Sequence, residues 1–317
     1  MNNLLLIFSL VVLLAISCNN ASNQDNHKTT DQKTATGSNQ VSPLDTLKIQ
    51  QVIGKSGSYK DGEYKITIPQ NDLNVVVDGF KIIPPMGLGT WIAFTPTAEG
   101  AMIMGDIVLT VKDLSPVQQE VIRQGLSITA IHNHFIRNNP NVMYMHIGGS
   151  GATEALAQKA KAVLNRVNTL RGKDPSSAAG GSVMNSINIA MLDSIIGHKG
   201  EMSNGVYKYT IGRPDVDLKE HGAPVSSFMG FNTWAAWQGS PERAAVSGDF
   251  AMLANEVDSV VSALIKNNIQ VVALHNHMMH EEPKIFFLHY WAIGAAEAIA
   301  QGLRAALDHT GKSRTAH

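Results

Sequence analysis

"VVALHNHMMHEEPKIFFLHYW" (residues 271–291) holds two apolar, strand-like runs around a polar turn and carries four histidines, His280 in the turn and three others in or beside the apolar runs. An upstream stretch, "ITAIHNHFIRNNPNVMYMHIGG" (128–149), has the same plan. Adding 143 to His132, His134 and His146 gives His275, His277 and His289. The same shift carries Gly54 to Gly197, Tyr64 to Tyr207, Gly87 to Gly230, Trp91 to Trp234, Gly105-Asp106 to Gly248-Asp249, Pro140 to Pro283 and Glu154 to Glu297. No gap is needed between about residue 47 and residue 308. A repeat of this length fixes the architecture before any single element does. The chain reads as two tandem copies of one unit.

Each unit is α+β, an antiparallel sheet with helices. In the first, a short helix ("LDTLKIQQVIG") leads to strands "GEYKITIP", "LNVVVDGFKIIP", "GTWIAF" and "AMIMGDIVLT". A helix opened by Ser115-Pro116 follows, then the histidine hairpin and a closing helix, "ATEALAQKAKAVLNRV". Hairpin-rich strands with interspersed helices argue for α+β over alternating βαβ units. The domain boundaries read as a signal peptide over 1–18, a flexible tether over 19–42, repeat unit 1 over 43–172, a linker over 173–183, repeat unit 2 over 184–310 and a tail over 311–317.

The 317 residues are 44% hydrophobic, enough for a substantial core, and 25 basic against 26 acidic residues leave a net charge of -1. With no basic stripe for a phosphate backbone, no nucleic-acid partner is expected. "LLLIFSLVVLLAIS" is short for a spanning helix and suits the apolar core of a signal peptide. It ends at Cys18, the single cysteine, after a small residue, which resembles the bacterial lipobox. On that reading Cys18 carries a lipid, the protein is exported, and a membrane is its partner through that anchor. The other reading is an ordinary secretory signal with an incidental cysteine. One cysteine excludes intrachain disulfides and cysteine-rich zinc sites.

Strand alternation puts His275 and His277 on one face, about 7 Å apart. Pairing His275 opposite His289 centres the turn on Glu282, next to Pro283, and pairing His132 opposite His146 centres the first turn on Asn139. Three neutral imidazoles on one hairpin face suit a divalent transition metal, zinc above all, with one position open to water or a small-molecule ligand. A cluster of hydrogen-bonded packing histidines is the alternative. Between residues 44 and 166 these are the only histidines, and all three recur in the second unit.

The second loop carries His280, Glu281 and Glu282 where the first has Arg137, Asn138 and Asn139. Glu281 and Glu282 read as a further ligand or general base, or as solvated loop charge. Asp106 and Asp249 sit within apolar strands, where an unpaired charge is costly. They read as partners of a histidine N–H or as caps of a bulge, with Asp249 a third proton-handling candidate. Glu154 and Glu297 project onto solvated helix faces, and Trp91 and Trp234 read as core.

"GLGTWIAF", "GDIVLT", "AIHNHF" with "MHIGG", and "GFNTWAAW", "GDFAML", "VVALHNHM" with "FFLHYW" resemble the bacterial LppY/LpqO lipoprotein family, a domain of unknown function, over nearly the whole mature chain. The resemblance implies export and lipidation and carries no active site with it. The hairpin alone looks like the zinc site of acetolactate decarboxylase, at a spacing one residue longer. The functional readings are a metal-dependent enzyme acting on a small or carbohydrate-like molecule, a non-catalytic envelope protein that binds metal or ligand, and a structural lipoprotein.

Overall fold

The computed structural model describes residues 41–311. The signal run, Cys18 and the tether up to residue 40 lie outside the described residues. Repeat 1 runs α1 (Thr46–Ile53), β1 (Ser58–Lys60), β2 (Glu63–Pro69), β3 (Val76–Val77), β4 (Phe80–Lys81), β5 (Gly89–Thr97), β6 (Gly100–Thr110), α2 (Val111–Arg123), β7 (Ser127–His132), β8 (Asn138–Asn139), β9 (Val142–Gly151) and α3 (Thr153–Arg171). Repeat 2 follows with α4 (Ile189–Ile196), β10 (Glu201–Ser203), β11 (Val206–Gly212), β12 (Lys219–Glu220), β13 (Ala223–Pro224), β14 (Asn232–Gly239), β15 (Ala244–Leu253), α5 (Val257–Lys266), β16 (Gln270–His275), β17 (Glu281–Glu282), β18 (Ile285–Gly294) and α6 (Ala296–Leu307).

Every α-helix and strand of one repeat has its counterpart in the other, and the fold is α+β as expected. Each repeat builds a six-stranded antiparallel sheet, β1-β2-β5-β6-β9-β7 and β10-β11-β14-β15-β18-β16, and a small three-stranded sheet, β4-β3-β8 and β13-β12-β17. No strand is shared between repeats.

The helices cover one face of each large sheet. In β15, Ala244, Val246, Phe250 and Met252 point to that side and pack with Leu192, Leu264 and Leu303. The alternate residues face the other repeat: Ala245 joins Phe135 and Tyr144, and Ala251 joins Ala93 and Met104. Both faces are therefore apolar, so the central strands read as unbroken hydrophobic runs. Each fully buried Leu or Phe there contributes about 1.5–3 kcal/mol. The embrace is reciprocal. Val77 and Phe80 of repeat 1 lie against Ala236 and Trp291 of repeat 2, while Leu218 and Val225 of repeat 2 lie against Met102 and Met104 of repeat 1.

Three local expectations are corrected. Helix α2 begins at Val111 rather than at Ser115, because Thr110 and Asp113 form a capping box, and Pro116 lies inside the helix. His275 is opposite Phe287, and His289 is opposite Ala273, so the hairpin register is displaced by two residues from the expected one. The connection is long because Glu281 and Glu282 leave the hairpin and pair with β12. His134 and His277 follow the ends of β7 and β16 and sit in these connections, not on the strand faces.

The uniform offset conceals one exchange. In repeat 2, buried Arg213 forms a paired contact with Glu256 (2.8 and 2.9 Å) and donates to the Ala251 carbonyl at 2.7 Å. In repeat 1 the matching position is Gln70. Arg171, at the end of α3, reaches in instead and donates to Asp113 (3.0 Å), the Gln70 side chain (2.6 Å) and the Val108 carbonyl (2.8 Å).

Candidate metal centre and cleft

A row of directly paired residues crosses each large sheet on the face away from its helices. In repeat 2 it runs Thr210, Trp234, Asp249, His289 and Ala273. In repeat 1 it runs Thr67, Trp91, Asp106, His146 and Ala130. Directly opposite residues share a face, so the pleat alone brings tryptophan, aspartate and histidine into line. The two rows meet where the repeats meet.

All six histidines gather there, each at most 8% exposed. Their pairing crosses between repeats. The His132 and His275 rings stack at 3.9 Å between centroids, His134 lies 3.8 Å from His289, and His146 lies 4.0 Å from His277. Among the described residues, three groups bring donor atoms within 4.8 Å of one another: His132–His146–His275, His132–His134–His289, and Asp249–His275–His277. The expected set of three histidines from a single hairpin is not one of these groups. His132 stacks on His275 across the junction and His134 reaches His289 of the opposite repeat, so two of the three groups mix the repeats.

Hydrogen bonds orient the rings. Nδ1 of His134, His146 and His289 lies 3.1, 3.2 and 3.1 Å from the carbonyls of Gly87, Gly105 and Gly248. An Nδ1–H donated to a carbonyl leaves Nε2 with its lone pair free, the tautomer a metal requires. Nε2 of each of these three rings has no hydrogen-bond partner, nor does either ring nitrogen of His132 and His275. Buried polar atoms rarely go unpaired, so the donor set fits a bound cation.

Asp106 and Asp249 stand beside this set. Asp106 Oδ2 is 3.6 Å from His134 Nε2, and Asp249 Oδ2 is 3.6 Å from His277 Nε2 and 4.0 Å from His289 Nε2. At these distances they are histidine neighbours rather than hydrogen-bonded partners of a ring N–H. Burial, and then the crowding of neighbouring imidazoles, holds His132, His134, His146, His277 and His289 well below the ordinary histidine value, and burial lowers His275 to about 3. Burial raises Asp106 to about 8 and pushes Asp249 well above the carboxylate range. Burial thus favours the neutral form of each of these groups, and a bound cation would favour ionised Asp249.

A cleft of about 450 Å³ opens onto the cluster. Its walls repeat the 143-residue shift: Lys65 and Lys208, Thr67 and Thr210, Gly87 and Gly230, Trp91 and Trp234, Asp106 and Asp249, His134 and His277, His146 and His289. Gly87 and Gly230 hold φ of 99° and 104°, a side chain at Gly87 would press on Trp234 of the other repeat, and one at Gly230 would touch Trp91. Trp91 and Trp234, expected in the core, line this cleft. The ammonium groups of Lys65 and Lys208 each lie 4.3 Å from the ring centroid of the neighbouring tryptophan. Burial lowers both lysines to about 8. The sequence reading missed these lysines. Their signal was a charged residue at the same inward position of two apolar strands, "EYKITI" and "VYKYTI".

Glu281 and Glu282, expected at the open side of the metal, do not line the cleft. Glu281 is buried beside β12, and Glu282 is exposed. Pairing with β12 draws both away from the histidine rings.

The Domain of Unknown Function (DUF1259) matches residues 47–166 and again 190–309. The chain belongs to this family and carries the domain in two tandem copies. No curated protein is a significant match. EtuB from Clostridium kluyveri aligns at 8% identity over 80% of this chain and 89% of that one. A trimeric bacterial microcompartment shell protein, PduB, aligns at 10% identity over 80% and 90%. Both have a TM-score of 0.19, and neither bears on fold or function here.

Proposed function

We propose that the chain is a metal-dependent enzyme of the bacterial cell envelope, acting on a small anionic, oxygen-bearing molecule in the cleft between its repeats. The observation that carries this reading is the meeting of unpartnered histidine nitrogens with two lysines, two aspartates and two tryptophans in one cleft. The histidines would hold zinc or a similar divalent ion, which supplies Lewis-acid polarisation of an oxygen or activation of a water. Lys65 and Lys208 bind the ligand's negative charge, and Trp91 and Trp234 wall its apolar or sugar-like parts. Asp106 and Asp249, both raised by burial, take or return a proton at their carboxylate oxygens. Glu281 and Glu282 have no part in this.

Metal analysis of the purified protein tests the reading, followed by a binding and turnover screen with small hydroxy acids and sugar acids. Stoichiometric metal and a carboxylate ligand that competes with phosphate are expected. A protein that contains no metal and takes up none on titration overturns it. The likeness to LppY/LpqO lipoproteins and the apolar run ending at Cys18 support export and lipid anchoring.

A further inference from the structure

We propose that the cleft takes a small dicarboxylate, held by one carboxylate on Lys65 of repeat 1 and by the other on Lys208 of repeat 2, which rests on the anion-binding role given to these lysines above. Two fixed positive charges on opposite walls narrow the ligand from any small anion to one with an acid group at each end.

The pleat puts the lysines in place. Lys65 and Lys208 are equivalent under the 143-residue shift, and each stands two residues before the threonine paired with its own tryptophan, Thr67 with Trp91 and Thr210 with Trp234. Residues two apart on a strand share a face, so each ammonium joins the inward face of its own sheet. One lysine therefore belongs to each wall, and histidines of both repeats line the space the walls share.

Neither ammonium spends its charge on the protein. Each lies 4.3 Å from the centroid of its tryptophan, and an aromatic face attracts a cation without bringing a counter-ion. Lys65 also donates to the Phe228 carbonyl at 3.1 Å, a neutral partner. The acids nearby are engaged elsewhere. Asp106 and Asp249 each approach a histidine at 3.6 Å, and Glu63 accepts hydrogen bonds from Ser226 and Thr95. Lys60 adds a third, exposed ammonium to the same lining, in a chain whose net charge is -1. Burial and then the Lys208 charge lower Lys65, so one ammonium feels the other across the cleft.

A single carboxylate answers one lysine and leaves the other bare. A second carboxylate on the same molecule makes the other contact intramolecular, which raises affinity without any new protein group. A cleft of about 450 Å³ has room for a short chain between two acid groups.

The test is calorimetric titration of the full chain at pH 7 with malonate, succinate, glutarate and adipate, each beside the monocarboxylate of the same chain length. At least one diacid should bind wild type tenfold or more tightly than its monoacid partner. Lys65→Gln and Lys208→Gln should each cancel that advantage. The monoacid can take either lysine, so one replacement should cost it only about twofold, the statistical loss of one of two sites. If no diacid exceeds its monoacid, or if one lysine alone carries the whole advantage, the proposal is overturned. Metal counting on the same samples separates this from the metal-enzyme reading. Metal-loaded protein without a diacid preference overturns the dicarboxylate and leaves the metal standing, whereas metal-free protein whose diacid preference needs both lysines does the reverse.

Discussion

The imidazoles of His132 and His275 stack across the junction of the repeats, 3.9 Å apart and 12° from parallel. Each closes the strand that leads to its own connection, so the two hairpins meet at their histidines. His275 belongs to two of the three donor groups, one of which also contains His132 and His146. Replacing His275 with alanine should therefore lower metal retention by the remaining histidines of both repeats. Counting metal in His275→Ala beside His277→Ala checks this. Loss confined to repeat 2 would mean that the hairpins act separately.

Acid should destabilise the metal-free protein. The unfolded chain takes up protons on these six histidines near pH 6.5, whereas the folded cluster resists them to well below that value. Their contribution is present above pH 6.5 and lost as pH falls, at about 1.4 kcal/mol per unit for each histidine. Asp106 and Asp249 act in the opposite sense, since their raised values favour the fold at low pH, but they are two against six. The melting temperature should drop steeply between pH 7 and 5, and bound metal should be released over the same range. A flat profile in the metal-free protein would contradict the neutral, buried cluster.

Lys65 and Lys208 should matter for ligand rather than for metal. Replacing both with glutamine should weaken binding of a small carboxylate or phosphate by tenfold or more and leave the metal content unchanged. Because the lysines titrate near 8, anion binding to wild type should fade above that pH. Isothermal titration between pH 6.5 and 9 reads both effects.

Arg171→Ala and Arg213→Ala should each destabilise the protein by about 3–5 kcal/mol, since each strands a buried acid, Asp113 or Glu256. Chemical denaturation measures the loss. Installing Arg at Gln70 should partly rescue Arg171→Ala, because that position holds the arginine in repeat 2.

Cys18→Ser should release the protein from the membrane fraction, and fatty-acid labelling should mark only the wild type. A Cys18→Ser protein that stays membrane-bound would remove the lipid anchor from the proposal.

The duplication made most of the fold legible, because a shift of 143 without gaps aligns strands as well as residues. The face of the hairpin survived a wrong register, since an error of two residues preserves the pleat. The crossing of His134 and His277 into the opposite repeat was not legible. It depends on how two sheets pack, which periodicity within one strand does not encode. Glu281 was misplaced for a related reason: its partner on β12 lies some sixty residues away and forms only two ladder pairs. Arg171 escaped notice because it lies past the repeat 1 part of the stretch that the offset pairs, between about residues 47 and 308.

The near-equivalence of the two cleft walls has a consequence for whatever enters. A guest without its own two-fold axis meets almost the same chemistry after half a turn, so lysines, tryptophans and histidines cannot tell its head from its tail. The unmatched positions can do so: Pro84 faces the role of Ser227, Gly89 that of Asn232, and Lys60 and Phe228 each line one wall without a counterpart on the other. The hydroxyl of Ser227, the amide of Asn232 and the ring of Phe228 mark one wall and the ammonium of Lys60 the other, and on that difference the handedness of recognition rests.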